Sequence, residues 1–157
     1  MTINGQFNWY NGAIQGGAVD AVYVQLKNNT VTSDITASTG LYVYSGTVLD
    51  GATLTHGHSA DDQVAWLRGD LTLTNDAKFV LQQDTLHFDN GDAAVTVNAS
   101  EIDGVGMSIL YASNSFVLEN GATATFSGAV TNSGTITVDA FSTFSAGSLT
   151  GNGNITT

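Results

Sequence analysis

Cysteine and proline are both absent from this 157-residue chain, and basic residues nearly so. Without cysteine there is neither a disulfide framework nor a thiolate metal site. The same absence suits export across a bacterial envelope, where stray disulfides obstruct passage. Without proline no inner strand loses a ladder hydrogen bond, which favours a chain built almost wholly of stacked strands. Only three Lys and Arg stand against fourteen Asp and Glu, for a net charge of −11. Such a surface repels nucleic acid and anionic membranes, which excludes both as direct partners, and it attracts divalent cations. No run approaches the ~18 consecutive apolar residues of a membrane helix. Residues 1–20 have no basic segment followed by an apolar one, so no signal peptide is read there. The chain also stops inside a repeat-like pattern, at Asn154-Ile-Thr-Thr. It reads as one domain, residues 1–157, cut from a longer exported protein.

What is present is strand and turn. Hydrophobic residues make up 42% and charged residues only 11%, so solubility rests on Thr, Ser, Asn, Asp and Gly. Apolar and polar residues alternate with period two, the mark of a half-buried strand. Val22, Val24 and Leu26 are expected on one face, with Tyr23 and Gln25 on the other. Leu41 and Val43 are expected inward, with Tyr42 and Tyr44 outward. Leu71-Thr-Leu-Thr, Thr85-Leu-His-Phe and Ala94-Val-Thr-Val alternate likewise. Asn120-Gly121 and Ser133-Gly134 are turn signals. Ser59–Leu67 is the one helical candidate, capped by Ser59, and is read instead as loop then strand.

One inward residue per segment gives Val22, Val43, Val64, Leu86, Ile109, Val130 and Leu149. Their separations are 21, 21, 22, 23, 21 and 19 residues. A step near twenty is about one coil of a right-handed parallel β-helix, which predicts an all-β solenoid of about seven coils. Coils stacked ~4.8 Å apart pair every backbone group along the axis and line inward positions into apolar ladders. An antiparallel β-sandwich or jelly roll has similar turn signals and is the alternative architecture.

Two segments share the form aromatic-x-x-Gly-x-aliphatic-x-Gly. One is Trp9, Gly12, Ile14 and Gly16; the other is Phe144, Gly147, Leu149 and Gly151. Thr131-Asn-Ser-Gly-Thr-Ile-Thr-Val has a related rung form. These phrases resemble the passenger regions of bacterial autotransporters and related large surface adhesins. The resemblance covers the two ends of the chain, about fifty residues, and implies an extended, non-catalytic stalk or adhesin on the bacterial outer surface or in the extracellular space.

Tyr23, Tyr42 and Tyr44 are the candidate ligand-binding residues. With coils near twenty residues, Tyr23 and Tyr42 fall close on one outer face, and exposed aromatic rings make platforms for sugars or protein partners. His56-Gly-His58 points both imidazoles one way on a strand, and Asp61 or Asp62 adds an oxygen donor for a metal. A polar loop leaving Leu54 is the plainer reading, so no metal site is assigned. Asp89-Asn-Gly-Asp92 and Glu101-Ile-Asp103-Gly104 read as acidic turns. Both lack the spacing of known calcium loops, so no cofactor is assigned, with calcium the one open candidate.

Catalysis has little support. β-Helical polysaccharide enzymes use paired Asp and Glu, often with basic residues, whereas only Lys27, Arg68 and Lys78 are present. Asp76 and Asp84, or Asp89 and Asp92, pair only if the fold brings them together. The function expected is therefore structural and adhesive, with a glycan or protein on a neighbouring surface as partner and lateral self-association as a further possibility. A β-helical depolymerase fragment, as in phage tailspikes, and a calcium-ordered matrix or surface-layer module are the alternatives.

Overall fold

The computed structural model describes residues 1–57 and 64–157, and of Val64 the backbone only. It is an all-β solenoid of about seven turns, with 17 parallel strands in one continuous sheet. The chain begins with three long strands that bend around the solenoid: β1 (Thr2–Ile14), β2 (Val19–Val31) and β3 (Ile35–Tyr44). Short strands follow: β4 (Thr47–Asp50), β5 (Thr53–His56), β6 (Val64–Arg68), β7 (Leu71–Thr74), β8 (Lys78–Leu81), β9 (Thr85–Phe88), β10 (Ala94–Asn98), β11 (Glu101–Gly104), β12 (Gly106–Ile109) and β13 (Ser115–Glu119). The last are β14 (Thr123–Asn132), β15 (Thr135–Val138), β16 (Thr143–Thr150) and β17 (Asn154–Thr156).

Three faces result. Face 1 stacks β5, β8 and β11 between the first parts of β3 and β14. Face 2 stacks β6, β9 and β12 between the later parts of β3 and β14. Face 3 stacks β4, β7, β10, β13, β15 and β17. Every one of these pairings is parallel, which rules out the sandwich of hairpins.

The inward side chains form ladders that fill the interior. On face 2 one runs Phe7, Val24, Leu41, Ala65, Leu86, Met107, Val130 and Leu149. No single coil can bury its own apolar side; stacking buries each rung under the next, at about 1.5–3 kcal/mol per large apolar side chain. Phe79, Phe88, Phe116 and Phe126 are the largest fully buried residues. Phe116, Phe126 and Phe144 meet with ring centroids 6.1–6.3 Å apart in edge and tilted contacts.

The corner between faces 3 and 1 is a column of left-handed residues. Gly51, Asn75, Ala99 and Asn120 follow β4, β7, β10 and β13, with φ of 63°, 56°, 46° and 59°. Glycine and asparagine tolerate this region; alanine is the unusual member. Side-chain amides brace the column: Asn75 donates to Asp50 (2.6 Å) and Asn120 to Asn98 (3.2 Å).

Four expectations need correction. Val22 is 41% exposed, because the register slips between Ala21 and Tyr23 and turns it outward. The seven-residue series therefore mixes columns: Val43 and Ile109 stand in the ladder beside that of Leu86, Val130 and Leu149. Glu101–Gly104 is strand β11 rather than a turn. The two glycine phrases also sit at different corners. Gly12 bends β1 between faces 2 and 3, whereas Gly147 bends β16 between faces 1 and 2.

Candidate functional site

The outer side of face 2 carries a continuous row of side chains with three rings at its middle. In register, Asn8, Gln25, Tyr42, Trp66, His87, Ser108, Thr131 and Thr150 succeed one another from coil to coil. The middle of this row is aromatic because parallel, in-register pairing puts each side chain one rung from the next. Tyr42 and Trp66 lie nearly parallel, 14° apart, with centroids 6.4 Å apart. Trp66 and His87 are tilted at 4.8 Å. Tyr23 joins from the neighbouring row, 5.3 Å from Tyr42. It reaches Tyr42 because Gly40 leaves a gap beneath its ring.

Polar groups hold the rings in place. The Arg68 guanidinium lies over the Tyr42 ring, 4.7 Å from its centroid, and its Nε donates to Asp89 Oδ2 at 2.8 Å. Burial pulls the Arg68 pKa down, but Tyr44 and Asp89 outweigh it and the net shift is upward. The Tyr23 phenol is pushed up to about 12, first by burial and then by its hydrogen bond with Tyr42. It is therefore a neutral donor at any physiological pH. Burial lowers the His87 pKa against the opposing pull of Asp89, so its ring is neutral near pH 7. The Trp66 indole N–H is shielded and, among the described residues, has no hydrogen-bond partner; Trp66 contributes ring surface.

Beside the row lies a cleft of about 320 Å³, lined by Tyr10, Asn11, Lys27, Asn28 and Tyr44. Asn11 and Asn28 both have positive φ, at 67° and 52°, and stack at the corner of faces 2 and 3. Asn28 Nδ2 donates to Asn11 Oδ1 at 3.1 Å, and the Tyr10 hydroxyl donates to Gln25 Oε1.

Of the three tyrosines singled out in the sequence, Tyr23 and Tyr42 are in contact, and Tyr44 stands one row aside, lining the cleft. Tyr10, Lys27, Trp66, Arg68 and His87 were missed. A period near twenty cannot find Trp66, because the register step from Tyr42 is 24 residues.

The histidine pair resolves differently. His56 faces inward on β5, in the ladder between Ala37 and Leu81, and is fully buried. The polar-loop reading therefore fails for His56. Its Nδ1 is 2.8 Å from Asp84 Oδ2, and its Nε2 is 3.2 Å from the Thr39 carbonyl. Both ring nitrogens are thus engaged inside the core. His58, Asp61 and Asp62 lie outside the described residues. The acidic segments have basic partners: Asp89 pairs with Arg68, and Glu101 with Lys78 at 2.7 Å. Among the described residues no three His, Asp or Glu side chains are grouped to hold a metal.

No protein family, curated protein or solved structure matches this chain.

Proposed function

We propose that this chain is a non-catalytic adhesive element of the bacterial outer surface or extracellular space. In this reading a stiff β-solenoid holds an aromatic strip against a glycan on a neighbouring surface. The observation that carries the proposal is the row Tyr42–Trp66–His87, joined by Tyr23, on the outer side of one sheet face. A sugar ring has an apolar C–H side that packs on flat aromatic surface while its hydroxyls stay in reach of polar neighbours. Here those neighbours are Asn11, Asn28, Gln25 and Arg68. Parallel ladders suit the mechanical part of the role. Between the end coils each described strand is paired with a strand above and one below it, so the rings keep their spacing when the partner pulls. The resemblance of the two end segments to autotransporter passengers favours the same reading.

The test is a glycan array probed with the wild-type chain and with a Tyr42→Ala/Trp66→Ala variant whose fold is verified by circular dichroism. The expected result is binding by the wild type that falls at least about tenfold in the variant, as loss of one or two stacking partners implies. Equal signals from both proteins would remove the strip from the function.

A further inference from the structure

We infer that the saccharide taken by this face carries a single carboxylate, and that Lys27 in the adjoining cleft receives it; the inference rests on the glycan reading above.

The chain has three basic residues. Arg68 is paired with Asp89 and Lys78 with Glu101. Lys27 alone of the three has no carboxylate within ion-pair distance among the described residues. That is notable in a chain with fourteen acidic residues and a net charge of −11. Nor is Lys27 on a featureless surface. It sits in the cleft between Tyr10 and Tyr44, with the paired amides of Asn11 and Asn28 at one end. Two rings, two amides and one unpaired ammonium are the complement of a pyranose ring with hydroxyls and one negative group. Tyr10 spends its proton on Gln25, so its oxygen remains an acceptor for a sugar hydroxyl.

The charge balance also limits the ligand. A polyanion meets the repulsion of the whole surface, which one free ammonium cannot offset. A neutral glycan capped by one acidic sugar places its charge at Lys27 and leaves uncharged rings for the row Tyr42–Trp66–His87.

The experiment compares lactose, sialyllactose, a glucuronate-capped disaccharide and polygalacturonate by titration calorimetry. The proteins are the wild type, Lys27→Gln, Lys27→Arg and Lys78→Gln. Lys27 is exposed and its side chain lies outside the core, so its replacement leaves folding intact. The expected result is that one or both singly charged sugars bind about fivefold or more tighter than lactose, in the range of a partly shielded ion pair. Lys27→Gln should abolish that preference; Lys27→Arg and Lys78→Gln should keep it. The preference should shrink as salt rises. If lactose binds as tightly as the acidic sugars, or Lys27→Gln keeps the preference, this inference is overturned and the glycan reading stands. If polygalacturonate binds best, the single-charge claim is wrong. If no sugar binds here and the array is blank, both readings fall together.

Discussion

The Tyr23 ring lies across Gly40, so closely that a Cβ built on Gly40 would stand 2.4 Å from its Cδ2 and Cε2 atoms. Glycine here is a matter of space rather than backbone conformation. The gap lets Tyr23 lean onto Tyr42 and start the aromatic row. Gly40→Ala must therefore push the ring aside, at a cost of about 1–3 kcal/mol, as for other small-to-large changes in packed sites. In a Tyr23→Ala background the same change should cost little. A double-mutant cycle on urea denaturation measures the coupling; additive effects would refute the contact.

The left-handed corner yields a second prediction. Ala99 has φ of 46° in a column otherwise made of Gly51, Asn75 and Asn120, and its side chain is exposed. An L-residue with a Cβ is disfavoured there by roughly 1–2 kcal/mol, offset in part by the entropy that glycine loses on folding. Ala99→Gly should therefore raise stability by about 0.5–1 kcal/mol, seen as a higher melting temperature. A lower one would show that the column is not left-handed at this rung.

A third prediction concerns the interior. His56 and Asp84 are both fully buried, with Nδ1 and Oδ2 2.8 Å apart, in a core made mostly of apolar side chains. Removing one member of a buried pair strands the other, at a typical cost of 3–5 kcal/mol. Asp84→Ala should destabilise by about that amount, since the His56 ring would lose the carboxylate 2.8 Å from its Nδ1. Asp92→Ala, at an exposed turn position, should stay within about 0.5 kcal/mol. Urea titration of both variants gives the comparison, and equal midpoints would show that the pair adds nothing.

Much of this architecture is legible in the residues, because alternation fixes which side chains face inward. Val24, Leu26, Leu41 and Val43 point in, and Tyr23, Gln25, Tyr42 and Tyr44 point out, as the period-two pattern requires. What the pattern does not carry is the length of each turn. On face 2 the register steps from Phe7 through Leu149 are 17, 17, 24, 21, 21, 23 and 19 residues. The corners differ in length, and alternation along the strands says nothing of how many residues a corner takes. Tyr23 and Tyr42 fall together at nearly any step size close to twenty, whereas Trp66 does so only after a long corner. His56 was misread for a related reason. Its polarity suggested a loop, but an inward rung accepts a histidine when Asp84 and the Thr39 carbonyl wait inside.

The last prediction follows His87 with pH. Burial against Trp66 disfavours the imidazolium, and the pull of Asp89 does not restore it, so the folded pKa lies below the ordinary histidine value of about 6.5. The unfolded chain then takes up its proton first as pH falls. Stability linked to His87 is fully present above about 6.5, declines as pH drops below that, and is lost once pH has passed the folded value. Two measurements check this. A heteronuclear NMR titration of the His87 ring should give a midpoint below 6.5 in the folded protein. The slope of stability against pH just below 6.5 should be shallower in His87→Gln, because one of the groups that protonates preferentially in the unfolded chain is gone. A midpoint above 6.5 would mean that the Asp89 carboxylate outweighs burial. The ring beside Trp66 would then be cationic near neutrality, and the row would end in a charge rather than a neutral stacking surface.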